Sequence, residues 1–219
     1  EPIGYDAEGL VARRAGGYWL AVEGSSPEKP NVLVRLNAAG AVQEEIPLSA
    51  DVAAAVTTNG LEGVAEAGTS VWVAVQRTIK GDPANTNRIG RYDTVTRTWS
   101  WLLYPADIAP VGWSGLSEIV AVDGNTFAVI ERDNQRGTLA SIKKIYEFDV
   151  PVTWTGTPTV TKKLVKDVLP ALRADNGWVQ DKLEGLAVAG NGHTYAVTDN
   201  DAIDDATGET VFLDLGRLL

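Results

Sequence analysis

A short pattern recurs four times in this chain: a Glu opens a strand-like run, and an aromatic strand follows about ten residues later. The copies begin D-A-E-G-L-V at Glu8, L-E-G-V-A at Glu62, L-S-E-I-V-A-V at Glu118 and L-E-G-L-A-V at Glu184, spaced 54, 56 and 66 residues apart. The aromatics are Trp19, Trp72, Phe127 and Tyr195, each inside a short apolar run. Four places further on stand Glu23, Gln76, Glu131 and Asp199. A third strand then ends at Leu36-Asn37, Tyr92-Asp93, Phe148-Asp149 and Leu213-Asp214. Three landmarks that keep phase through four strand-rich copies are the signature of propeller blades.

The fold expected is therefore all-β: a β-propeller with about four blades of four-stranded antiparallel sheet, in one domain. The repeats run approximately over residues 6–57, 58–113, 114–177 and 178–219. A short helix is expected over Ser49 to Val56, where an Ala-rich run follows Asp51. Asp107 stands, like Asp51, eleven residues before the next Glu, so the connector between blades repeats as well. D-V-L-P-A-L-R is the matching connector of the third repeat, after a fourth strand over T-P-T-V-T-K-K-L-V. The last repeat shows three strands rather than four. An unpaired sheet edge is a liability, so the expectation is that these blades belong to a larger propeller, with the upstream part of the same propeller as their partner.

Composition narrows the function. The formal charge of −10 argues against nucleic acid, whose phosphates need a basic surface. No Cys is present, which excludes disulfides and thiolate metal sites. No Met is present either, as expected of a processed or excised piece. No membrane span is visible. Cys avoidance with Trp, Thr, Gly and Asp in β-repeats fits an exported bacterial protein.

Carboxylates carry the candidate chemistry. The first strand of a propeller blade lines the central channel, so Glu8, Glu62, Glu118 and Glu184 are expected to converge. Like charges at close range raise one another's pKa or recruit a cation. With oxygen donors, no Cys and one His, the cation expected is calcium. Asp199 and Asp201, in the acidic run T-D-N-D-A-I-D-D, are further candidate ligands. Arg77, Arg132 and Lys182 are candidates for holding an anionic substrate, with Glu23 and Glu131 beside them at the same rim. A structural reading stands next to this one: a Glu at a strand start can instead accept backbone N–H groups from the neighbouring blade. Trp113 and Trp178 precede Glu118 and Glu184 and are candidates to flank a channel mouth. His193, the single His, sits in the turn G-N-G-H-T-Y, and no G-x-S-x-G elbow accompanies it. No catalytic residue is assigned.

The ordered set D-A-E-G-L-V, G-G-Y-W-L-A-V-E-G, D-K-L-E-G-L-A-V, H-T-Y-A-V-T-D-N-D and D-A-T-G-E-T-V-F-L-D-L resembles the bacterial phytase-like family, "esterase-like activity of phytase", over nearly the whole chain. The resemblance implies a secreted or periplasmic β-propeller and hydrolysis of a phosphoester or ester. One departure matters. That family usually carries an acidic pair after the first aromatic strand, whereas Glu23 is followed here by Gly24 and Ser25. The R-H-G-x-R-x-P signature of histidine acid phosphatases is absent. The alternative function is a non-catalytic propeller that binds a protein or glycan through its rim loops.

Overall fold

The computed structural model describes residues 4–174, 177–200 and 210–219. Each repeat folds into one antiparallel sheet, strand after strand in chain order. Blade one is β1 (Asp6–Ala12), β2 (Tyr18–Glu23), β3 (Val32–Leu36) and β4 (Val42–Pro47), followed by the helix α1 (Ala50–Ala55). Blade two is β5 (Leu61–Ala67), β6 (Ser70–Val75), β7 (Thr86–Asp93) and β8 (Thr98–Pro105). Blade three is β9 (Ser114–Ala121), β10 (Thr126–Asp133), β11 (Lys143–Asp149) and β12 (Lys162–Asp167), with the helix α2 (Leu169–Arg173) after it. Blade four shows three strands among the described residues: β13 (Lys182–Val188), β14 (Thr194–Asp199) and β15 (Phe212–Asp214).

The blades stack face to face, as their alternating apolar runs require. Trp19, Ala21 and Leu33 of blade one meet Leu61, Val64, Val71 and Val73 of blade two. Trp72 and Ile89 of blade two meet Phe127 and Phe148 of blade three, with the Trp72 and Phe127 rings 4.6 Å apart. Ala128, Ile130 and Ile145 of blade three meet Leu183, Leu186 and Ala196 of blade four. The aromatic landmark of each of the first three repeats is thus an interblade core residue.

Inner strands pack on inner strands, β1 on β5, β5 on β9 and β9 on β13. Two glycines of the repeated E-G pair permit this. A Cβ on Gly9 would lie 2.4 Å from the Glu62 carbonyl oxygen, and one on Gly63 would lie 2.3 Å from the Ile119 nitrogen.

The connectors diverge. Helix α1 forms, but the segment around Asp107 stays non-helical because blade three pulls on its carboxylate. Lys144 Nζ and Lys162 Nζ each lie 2.8 Å from it, and the Tyr146 hydroxyl donates at 2.6 Å. The fourth strand of blade three also starts later than expected, at Lys162. The preceding Pro158–Val160 instead bridges the outer strand of blade two: Leu103 N–H donates to Pro158, and Val160 N–H donates to Leu103, each at 2.9 Å. That edge is thereby partly covered.

Candidate functional site: an acidic centre lined by the inner strands

A β-bulge interrupts each inner strand, at the repeated Glu in three of the four blades. Glu8 is skipped between Ala7 and Gly9, Glu184 between Leu183 and Gly185, and Glu62 with Gly63 between Leu61 and Val64. In blade three the skipped residue is Ser117, one place earlier, and Glu118 pairs regularly with Ile130. A bulge re-aims the side chain it carries. Hence Glu118 departs from the other three.

Glu8, Glu62 and Glu184 act on one another electrostatically. Glu62 is almost fully buried and receives the Gln76 side-chain N–H at 2.5 Å. Burial first, then the charges of Glu8 and Glu184, push its pKa up to about 9, against the pull of Arg132. Glu8 is pushed up to about 7 by burial and by Asp6, Glu184 and Glu23, with Lys182 opposing. Glu184 is raised by burial and restrained by Arg132, whose Nη2 lies 2.6 Å from its Oε1. Glu118 takes no part. It accepts the Ile119 N–H at 2.9 Å and the backbone N–H of Val64 in blade two, and burial pushes it up to about 8.

The ends of the inner hairpins differ in charge. In blade one Asp6 stands opposite Glu23, and bulged Glu8 lies between them. Oxygens of these three carboxylates fall within 4.8 Å of one another. The corresponding positions in blade four are Lys182, Glu184 and Asp199, where Lys182 Nζ lies 3.7 Å from Asp199. Blade four thus sets a lysine against Asp199, and Arg132 of blade three holds Glu184, whereas blade one places no base of its own among its three carboxylates. Like charges directly opposite on a ladder destabilise it. Glu23 also accepts the Gly60 N–H at 2.6 Å, which ties this corner to blade two. A cavity of about 290 Å³ opens onto Asp6 and Glu23, lined also by Tyr5, Ser25 and Glu28.

The other expected site residues separate. Arg132 is buried, bridges Glu184 and Asp181 and lies 5.8 Å from the centre of the Trp113 ring. Arg77 stacks on the same ring at 4.2 Å. Trp113 thus lies beside both arginines. Glu131 is wholly enclosed and accepts from the Tyr104 hydroxyl, the Asp107 N–H and Lys162 Nζ at 2.6–2.7 Å. The structure places it in the contact between blades two and three. Trp178 packs over Gly137. His193 closes its turn and pairs with Asp214 at 2.9 Å. Asp201 lies outside the described residues.

Asp6 is the site residue that the repeat pattern passed over. Its signal was present two places before each Glu: Asp6, Gly60, Leu116 and Lys182. The position carries an acid in one copy, a base in another, and a glycine and a buried leucine in the remaining two, so it is not held to one structural role.

A stack of antiparallel blades, whose inner strands bring Glu8, Glu62 and Glu184 within one another's electrostatic reach, defines a β-propeller. The model of the phytase-like family, described as esterase-like activity of phytase, matches residues 1–202. The chain belongs to that family. No curated protein matches it. No helix among the described residues is long and apolar enough to cross a membrane.

Proposed function

We propose that this propeller is an exported, calcium-dependent hydrolase of esters or phosphoesters, with its cation held at the blade-one corner. The observation that carries the reading is the triad Asp6, Glu8 and Glu23, three carboxylates gathered at one corner where blade one supplies no lysine of its own, and where the charge of blade four's Lys182 reaches Glu8 and Glu23 without bringing either down to the ordinary carboxylate range. Hard oxygen donors and no thiolate suit calcium. A cation held by these three carboxylates would lower their mutual repulsion and would supply Lewis-acid polarisation of a phosphoryl or carbonyl oxygen and of a water.

The chain's own residues divide the remaining work. Asp6, Glu8 and Glu23 bind the cation. Glu184 is held in place by Arg132. Arg77, 4.2 Å over the Trp113 ring, is the donor for an anionic substrate group. Glu62, neutral at pH 7, holds a proton in the centre. The family's description supports hydrolysis as the reaction class, and the cavity beside Asp6 gives a small ester access to the triad.

The test has two parts. Calcium should raise the Tm of the chelator-stripped protein, and Glu8→Gln should remove that shift. Nitrophenyl phosphate and nitrophenyl acetate should then be turned over in calcium and not in chelator. A protein that binds calcium at the triad but turns over neither ester is a binding propeller instead.

A further inference from the structure

At the end of the blades opposite the carboxylates, arginines gather between blades one and two. Strand β1 begins at Asp6, beside Glu23, and ends at Ala12, beside Tyr18. Beyond Ala12, at that far end, a cavity of about 370 Å³ opens between blades one and two. Arg13, Arg14, Arg35 and Arg97 line it, with Glu44 and Glu66 as its two acids. Four positive charges against two negative leave a surplus of two in a chain whose formal charge is −10.

The two acids do not neutralise the hairpin arginines. Glu66 is engaged by neutral donors, the Arg14 backbone N–H at 2.7 Å and the Trp19 indole at 3.2 Å. Glu44 is shared between Arg35, at 3.3 Å, and Arg97. No carboxylate among the described residues pairs with the guanidinium of Arg13 or Arg14. Arg13 is held in place by the Gly16 carbonyl at 2.9 Å and by the Trp19 ring at 5.1 Å, and its buried Nε has no hydrogen-bond partner. Arg97 occupies a left-handed backbone position, φ 59°, where Gly or Asn is the usual occupant. That position closes the turn between β7 and β8, where the Arg97 N–H donates to the Asp93 carbonyl at 2.8 Å, and from it the guanidinium reaches Glu44 of blade one.

We propose that this cleft is a second ligand site, which binds a small polyanion bearing two or more phosphate- or carboxylate-type groups. The guanidinium pairs Arg13/Arg14 and Arg35/Arg97 each take one group through planar, bidentate N–H donation. Glu44 is the internal competitor that the ligand displaces. The site lies at the far end of the blades from the carboxylate triad and does not depend on the cation reading.

Calorimetry on the full chain, with divalent cations chelated away, tests this. The probes are pyrophosphate, citrate and orthophosphate. Pyrophosphate or citrate should bind at least tenfold more tightly than orthophosphate, and the better of the two identifies phosphate or carboxylate as the preferred group. Arg14→Gln and Arg97→Gln, both at exposed positions, should each weaken that binding at least fivefold. Arg136→Gln, elsewhere on the surface, should leave it unchanged. Glu44→Gln should tighten it severalfold, a sign that general loss of structure does not produce. Absence of binding by both polyanions overturns the proposal. So does equal binding of orthophosphate, or equal binding by the Arg14 and Arg97 variants.

Discussion

Asp6 faces Glu23 directly across the first hairpin of blade one, two carboxylates paired where blade four pairs Lys182 with Asp199. The Asp6→Lys variant copies blade four's solution into blade one. Without cations it should be more stable than the parent by about 0.2–1 kcal/mol, the usual value of an opposite-charge cross-strand pair. It should also lose the calcium-induced stabilisation, which for the parent amounts to about 2.7 kcal/mol at a hundredfold excess over Kd. Thermal melts with and without calcium measure both. A full calcium shift in the variant would move the cation elsewhere.

Glu62 makes stability fall as pH rises. Its folded pKa is about 9 against an ordinary 4.5, and Glu8 and Glu118 are raised to about 7 and 8. Above pH 4.5 the unfolded chain releases these protons while the folded chain keeps them. Their stabilisation is complete below that pH and is lost as pH climbs through the folded values. Each retained proton gives a slope of about 1.4 kcal/mol per pH unit. Urea denaturation from pH 5 to 9 should show the decline, and Glu62→Gln should flatten it. An unchanged slope in that variant would mean that Glu62 is ionised at neutral pH.

Lys143 and Asp133 form an ion pair at 2.7 Å with both side chains fully excluded from water. Asp133 also accepts the Ser141 and Ile142 N–H groups, so the pair anchors the loop that follows β10. Lys143→Met leaves a buried carboxylate unpaired and should cost about 3–5 kcal/mol. Removing both charges, as Lys143→Met with Asp133→Leu, should recover part of that loss, since only the backbone anchor is then missing. Denaturant midpoints of the three variants decide it. A double variant no better than the single would assign the cost to the loop anchor.

Gly63→Ala places a methyl 2.3 Å from both the Glu118 Oε1 and the Ile119 backbone nitrogen. The inner strands of blades two and three must then separate. A destabilisation at the top of the overpacking range, about 3 kcal/mol, is expected. Gly16→Ala serves as a comparison, because its φ of 88° brings strain while a methyl there meets nothing. If the two variants melt alike, close interblade approach is not what Gly63 provides.

Blade number and strand phase were legible because each blade is a local hairpin series, with aromatic landmarks that pack at the same depth. Trp19, Trp72 and Phe127 repeat in the chain and repeat in the core. The role of the glutamates was only half legible. Their spacing put all four in one class, yet Glu118 accepts a neighbour's backbone while Glu8, Glu62 and Glu184 share a field. Spacing cannot separate these roles, because both place a Glu at the start of an inner strand.

What the amino-acid order determined by itself is the alternation, the turns and the period, all of which act between residues close along the chain. Tertiary structure decided where each bulge fell, at Glu8 and Glu184 but at Ser117 in blade three. It decided that Glu131 is enclosed by Tyr104 and Lys162 rather than set at the rim. It also brought Asp6 to Glu23, and the arginines of two blades around one cleft. These outcomes depend on the register between strands and on the packing of one sheet against the next. Both are set by side chains far apart in sequence, so no single repeat contains the information.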